Sequence, residues 1–276
     1  AGPFDMGDAT GAGLLTEVPV HSVQVSAFFI DETEVTAELW DSVRSWALAN
    51  GYIGVNPGLP DRGTGKGPDH PAHDINWYTA VKWCNARSEK DGLTPVYYTD
   101  ATWTTVYRFG EIDLEETFVD WNADGYRLPT EAEWEKAARG GLVGKNFPWG
   151  GMNTDESLDI NGGNANYFGG GDPFEGSGFP ETSTAGFFTA NALSLRDMAG
   201  NVQEWCWDAF STTWYIQPGA TTADTRGPAF TGNRVLRGGA WSNFSPPDEL
   251  RCASRIGSGP VNKNSSTGFR TVRIIE

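Results

Sequence analysis

Three thiols, three imidazoles and a surplus of carboxylates are the groups in this sequence that could do chemistry. The thiols are Cys84, Cys206 and Cys252. None lies in a CxxC pair, so a thiolate zinc site is not expected, and an odd number cannot complete a disulfide framework. Cys84 shares a helical face with Ala80 and Val81, where a small buried hydrophobe is expected rather than a nucleophile. The imidazoles are His21, His70 and His73, and no HExxH spacing sets two of them on one helix face, so neither a zinc site nor a general base is expected from them. The carboxylates carry the net charge to −16 at pH 7. A surface this acidic repels phosphate backbones, which excludes nucleic acid as a partner. Most of these carboxylates serve solubility; cation binding is the chemistry open to a few.

The elements that must position such groups are short. The first 35 residues alternate, with Val18, Val20, Val23 and Val25 leading into Phe28-Phe29-Ile30, a strand pattern. Thr36 stands before a helical face of Leu39, Val43, Trp46 and Ala47 that stops at Gly51. Residues 51–75 read as loop. Asn76 caps a second helix that Gly92 closes. Residues 93–126 read as irregular strands carrying Tyr97, Tyr98 and Tyr107. Thr130-Glu131-Ala132-Glu133 is a capping box that opens a third helix, ended by Gly140-Gly141. The Gly-, Asn- and Asp-rich stretch that follows, to about residue 192, leaves its backbone to be held by side-chain hydrogen bonds, ions or aromatic plugs. With 35 glycines and 12 tryptophans, the composition suits long irregular loops pinned by large rings. No apolar window of about 18 residues suggests a membrane span. The sequence starts at Ala1-Gly2-Pro3-Phe4 without a signal peptide, which leaves the compartment open. No linker or fixed-period repeat divides the chain, so residues 1–276 are expected to form a single α+β domain.

An ordered set of motifs then resembles one family. They are Phe4-Asp5-Met6-Gly7, Asp31-Glu32-Thr33-Glu34-Val35-Thr36, Arg127-Leu128-Pro129-Thr130-Glu131-Ala132-Glu133-Trp134-Glu135, Phe147-Pro148-Trp149-Gly150, Gly200-Asn201-Val202-Gln203-Glu204-Trp205, Arg237-Gly238-Gly239-Ala240-Trp241, Arg251-Cys252-Ala253-Ser254-Arg255 and Gly268-Phe269-Arg270. Together they resemble the formylglycine-generating, sulfatase-modifying family. That resemblance implies a C-type-lectin-like fold with few regular elements and long irregular loops. In physical terms, Gly238-Gly239 allow a sharp turn. Trp205 and Trp241 supply large buried rings. Arg251 and Arg255 can fork onto carboxylates or backbone carbonyls.

The oxidase of that family binds copper through two cysteines placed after the Gly-Gly turn, a soft-ligand site suited to Cu(I). Here residues 240–250 contain no cysteine, and Asn243 and roughly Asp248 stand where the pair would be. Copper is therefore not expected. Cys252 matches a family cysteine of a structural disulfide whose partner position is Ala138. The segment from Arg234 to Arg270 resembles the variable region of diversity-generating-retroelement proteins, of the Treponema variable-protein type. Ala240, Ser242, Asn243, Phe244, Ser254, Ile256, Gly257, Ser258 and Gly259 are the candidate variable, ligand-binding positions. None is Trp, Met, Lys, Gln or Glu, consistent with randomised AAC codons. The resemblance implies a non-catalytic binding protein for an external ligand, protein or other surface ligand. It would stand outside the cytoplasm, at the cell surface or in the periplasm, with a lipid anchor on a longer precursor. An oxidative enzyme, a structural lipoprotein of the same fold, and an ordinary surface loop at residues 240–259 are the competing readings.

The same resemblance implies a structural calcium ion. Asp197, Gly200, Val202 and Glu204 match its ligand positions, two carboxylates flanking two backbone carbonyls. A second ion would need Asn166, Tyr167 and Phe179 with a carboxylate where this chain has Ser177.

Overall fold

The computed structural model describes residues 1–52, 66–151, 159–242 and 244–275. Three α-helices form among them, each with the cap its sequence announces. Helix α1 (Ala37–Ala49) starts where the Thr36 hydroxyl accepts from the Leu39 N–H. Helix α2 (Trp77–Lys90) starts where the Asn76 side chain accepts from the Thr79 N–H. Helix α3 (Glu131–Arg139) has the reciprocal capping box of Thr130 and Glu133 and ends on Gly140 in the left-handed region. No described helix is long and apolar enough to cross a membrane.

The strands pair in three small sheets. Strands β1 (Gly2–Met6) and β2 (His21–Val25) form an antiparallel ribbon. Strand β3 (Phe28–Ile30) pairs antiparallel with β8 (Val272–Ile274), tying the front of the chain to its far end. The third sheet joins β4 (Gln203–Ala209), β5 (Arg234–Arg237), β6 (Ile256–Ser258) and β7 (Thr267–Gly268) in the order β6-β5-β4-β7. Residues 93–126 differ from the strand expectation. They make the isolated bridges Tyr97–Val119 and Tyr98–Val106 instead of a ladder. The buried Tyr97 and Tyr107 hold this stretch, with their carbonyls accepting from the Asn85 side chain at 2.7 and 3.2 Å.

Rings fill the main core. Trp40 of α1 stacks on Trp83 of α2 at 5.7 Å, and Phe269 meets both edge-on. Trp77 and Trp205 each bury an indole N–H on a backbone carbonyl, Cys206 at 2.9 Å and Ile75 at 2.8 Å. Helix α2 is buried on more than the Ala80, Val81 and Cys84 face, because α1 packs along it, β4 meets it at Trp77 and residues of the 93–126 loops share its core. All three thiols are buried and free. Cys252 sits in one apolar cluster with Ala138, the position that the family disulfide would pair with it.

Buried charges fasten the irregular parts to this frame. Glu135 of α3 accepts from Arg139 at 2.7 Å, from the Gly7 N–H at 2.8 Å and from Arg237 of β5. Arg255 forks onto Glu131 at 2.7 and 2.6 Å, and Arg127 onto Glu133 at 2.7 and 2.6 Å. Arg251 pairs with Glu17 near the opposite end of the sequence. Each fork fixes two segments in a defined orientation, which a loop-rich fold cannot obtain from strand ladders alone.

Candidate functional site

The Gly-Gly turn after β5 sets the site. Gly239 has φ 67°, and a Cβ there would lie 2.6 Å from the Leu250 side chain, so only glycine fits. Beyond it the Trp241 N–H donates to the Asn201 carbonyl at 3.0 Å, and the Ala240 N–H donates to the Ser245 hydroxyl at 2.9 Å. The Ser245 hydroxyl and the Gln203 amide both donate to Glu249, at 2.7 and 2.9 Å. Burial lifts the Glu249 carboxyl above its ordinary range, while these two donors oppose the rise. The result is a rigid, polar-braced loop that carries Trp241 at its edge.

Trp241 is nearly buried and its indole N–H donates to the Ser265 carbonyl at 3.2 Å. The Phe179 ring meets it edge-on at 5.5 Å. Phe179 is 69% exposed and Phe244, three residues after Trp241, is 88% exposed. Exposed rings of this size can bind by area burial, with the braced loop limiting the entropy lost on binding. The thiols stay protonated because burial raises all three, Cys252 up to about 12. His73 and His70 are buried against Asp74 and Thr182.

The structure divides the candidate variable positions. Phe244 is displayed, as expected. Ala240, Ser242 and Ser254 are buried, contrary to expectation. The Ser242 hydroxyl accepts from the Phe244 N–H at 3.3 Å within the loop, and the Ser254 carbonyl accepts from buried Arg237. Ile256, Gly257, Ser258 and Gly259 are half-buried. The first three of these form β6, an edge strand of the third sheet, and Ile256 packs on the main core. Asn243 lies outside the described residues. Gly257 departs furthest from a freely variable position, since a Cβ there would sit 2.5 Å from the Phe210 ring. We predict that Gly257→Ser and Gly257→Asn lower the melting temperature by several degrees, equivalent to about 1–3 kcal/mol, and a thermal melt of each variant against wild type checks this. Phe179 was legible only as part of a doubtful ion site; its exposure and its contact with Trp241 depend on a loop whose path the sequence does not specify.

The calcium positions are also divided. Both Glu204 carboxylate oxygens accept from Arg270, and one also accepts from the Trp134 indole at 2.8 Å. Glu204 is thus the counterion of a guanidinium and does not fit the role of a metal ligand. Asp197 keeps one oxygen on the Gly186 N–H and leaves the other buried without a partner. Both oxygens of buried Glu34 are likewise without a hydrogen-bond donor, and burial together with the Asp197 charge raises the Glu34 carboxyl well above its usual range. These orphaned oxygens require a proton or a cation. Among the described residues no group of three or more His, Cys, Asp or Glu side chains is arranged to hold a metal ion. For the second ion, the Ser177 hydroxyl accepts from the Lys66 ammonium at 2.8 Å, a positive charge where the carboxylate is missing. A melt in chelator and again in added calcium separates the cases. A bound ion at Asp197 and Glu34 predicts a fall in chelator that calcium restores, whereas identical melts assign the pair to a proton.

The fold accords with the comparison of sequences. A sulfatase-modifying factor enzyme 1-like domain matches residues 1–275. The chain belongs to this family. It is 33% identical to the formylglycine-generating enzyme of Streptomyces coelicolor over 98% of this chain and 86% of that protein. It is also 33% identical to the chaperone protein LppX of Paenibacillus barcinonensis, over 91% of this chain and 82% of the other. The serine/threonine-protein kinase Pkn1 of Chlamydia trachomatis is 30% identical, and the match takes up only 37% of that longer protein. Among solved structures, Treponema denticola variable protein 1 superposes with a TM-score of 0.71 at 32% identity, covering 98% of this chain and 91% of that one. The C-type-lectin-like fold of the formylglycine-generating type is thereby established, in a family whose relatives carry both enzyme names and a variable-protein name.

Proposed function

We propose that this chain is a non-catalytic binding protein that presents a diversified surface to an external ligand. The observation that carries this reading is the exposed Phe244 ring on a braced loop at the place where the family's enzymes need two cysteines, with the exposed Phe179 ring of another segment against Trp241 of that loop. The likeness to Treponema denticola variable protein 1 along nearly the whole chain supports it. The ligand is a protein or another surface ligand, met outside the cytoplasm, with a lipid anchor supplied by a longer precursor. Variation should follow exposure: sibling genes should differ at Phe244 and agree at the buried Ala240 and Ser254 and at Gly257, where a side chain would meet the Phe210 ring. Differences spread evenly along sibling sequences would remove the proposal.

The 33% identity to a formylglycine-generating enzyme favours a second reading, oxidative modification of a cysteine-containing peptide. Assay of oxygen-dependent conversion of such a peptide with added copper decides between the two. Turnover above buffer establishes the enzyme; none is expected, because Asn243 and Asp248 offer no thiolate pair.

A further inference from the structure

Seven arginines are buried among the described residues, and six of them have a carboxylate partner: Arg127, Arg139, Arg237, Arg251, Arg255 and Arg270. Arg234, at the start of β5, is the exception. It is 2% exposed, and its guanidinium donates only to backbone carbonyls, of Trp207 at 2.8 Å and Leu114 at 3.2 Å. Its Nε has no acceptor. The guanidinium lies 3.8 Å from the Trp77 ring centre, 4.5 Å from Phe230 and 5.0 Å from Trp207. These rings stabilise a cation but do not neutralise it. Burial without a counterion pulls the Arg234 group down to about 10, even with Asp113 and Asp208 acting from a distance in the opposite sense.

Arg234 also lines a cavity of about 460 Å³. Trp207, Phe230 and the Gly227-Pro228-Ala229 segment line it. Exposed Asp113, Glu115 and Glu116 lie along the cavity as well, and Arg226 pairs with Glu116 at 3.0 Å. Asp113, which accepts from the Tyr78 hydroxyl, and Glu115 form no ion pair among the described residues and remain as negative charge along the cavity. A volume in this range holds a small molecule with one or two fixed polar contacts. The unpaired guanidinium selects a carboxylate, the acidic groups select an ammonium, and the rings between them select an apolar body.

We propose that this cavity binds a small zwitterion, a free amino acid with an apolar side chain, its carboxylate directed to Arg234 and its ammonium to Asp113 and Glu115. The site is separate from the Phe244 surface and does not depend on how that surface is used. Thermal melts of the full chain with millimolar L-phenylalanine and L-leucine test it. At least one should raise the melting temperature saturably. 3-Phenylpropionate, which lacks the ammonium, and L-phenylalanine amide, which lacks the carboxylate, should each need at least about tenfold more for the same shift. Arg234→Gln should abolish the shift. Ala229→Trp, at an exposed position in the wall of the cavity, should abolish it too, and it decides the matter where Arg234→Gln does not fold. No shift with either amino acid, equal shifts with the amide and the acid, or full binding by Ala229→Trp would overturn the proposal.

Discussion

Glu135→Ala is expected to cost about 3–5 kcal/mol, enough to leave much of the protein unfolded under ordinary conditions. The Glu135 carboxylate is fully buried and receives Arg139, Arg237 and the Gly7 N–H. Removing it strands two guanidiniums inside the protein, where neither can find water. Arg237→Ala should be nearly as costly alone, yet add less on the Glu135→Ala background, because both act on one network. The pair also sets an acid limit. Burial alone would raise the Glu135 carboxyl, but Arg139 and Arg237 overcome it and hold the group below its ordinary value. Its contribution is thus present above the unfolded glutamate range and is lost as pH falls through the lower folded value. Urea unfolding of wild type and Glu135→Gln at neutral and acid pH measures both effects, and a steeper acid loss is expected in wild type.

The second large effect separates frame from display. Trp241→Ala should cost about 3–5 kcal/mol, because it removes a nearly buried indole and its hydrogen bond to Ser265. Phe244→Ala should stay within about ±0.5 kcal/mol, since its ring lies in solvent. Binding should respond in the other direction. Loss of an exposed aromatic anchor costs about 2 kcal/mol or more of affinity where that ring is a hot spot. Parallel melts and binding curves of Phe244→Ala, Phe179→Ala and Trp241→Ala check the contrast. If Phe244→Ala unfolds the protein as readily as Trp241→Ala, residues 240–259 are core and the binding proposal loses its basis.

Helix positions were legible in the sequence because a cap is a local event. Thr36, Asn76 and Thr130 each accept from an N–H three residues on, so the signal and the structure lie within one turn. The fold family was legible for a related reason. The Arg and Glu of the motifs are partners in space, as Arg255 with Glu131 and Arg237 with Glu135 show, and neither member of a buried pair changes freely without the other. The missing cysteine pair was visible from residue type alone. Exposure was not. Ala240, Ser242 and Ser254 have the small or polar character of surface positions, yet all three are buried, the first two in the loop after Gly238-Gly239 and Ser254 against Arg237. Gly257 resembles a tolerant loop residue until the Phe210 ring is found against it. Glu204 has the spacing of an ion ligand, and only the arrival of Arg270, 66 residues later, makes it a counterion. The lack of a partner for Arg234 is likewise a property of the whole, for it depends on every other chain segment that passes nearby. By itself the sequence determined residue chemistry, local caps and the kind of frame. The tertiary structure decided which side chains meet water, because burial and pairing are set by segments far apart in the chain that pack against one another.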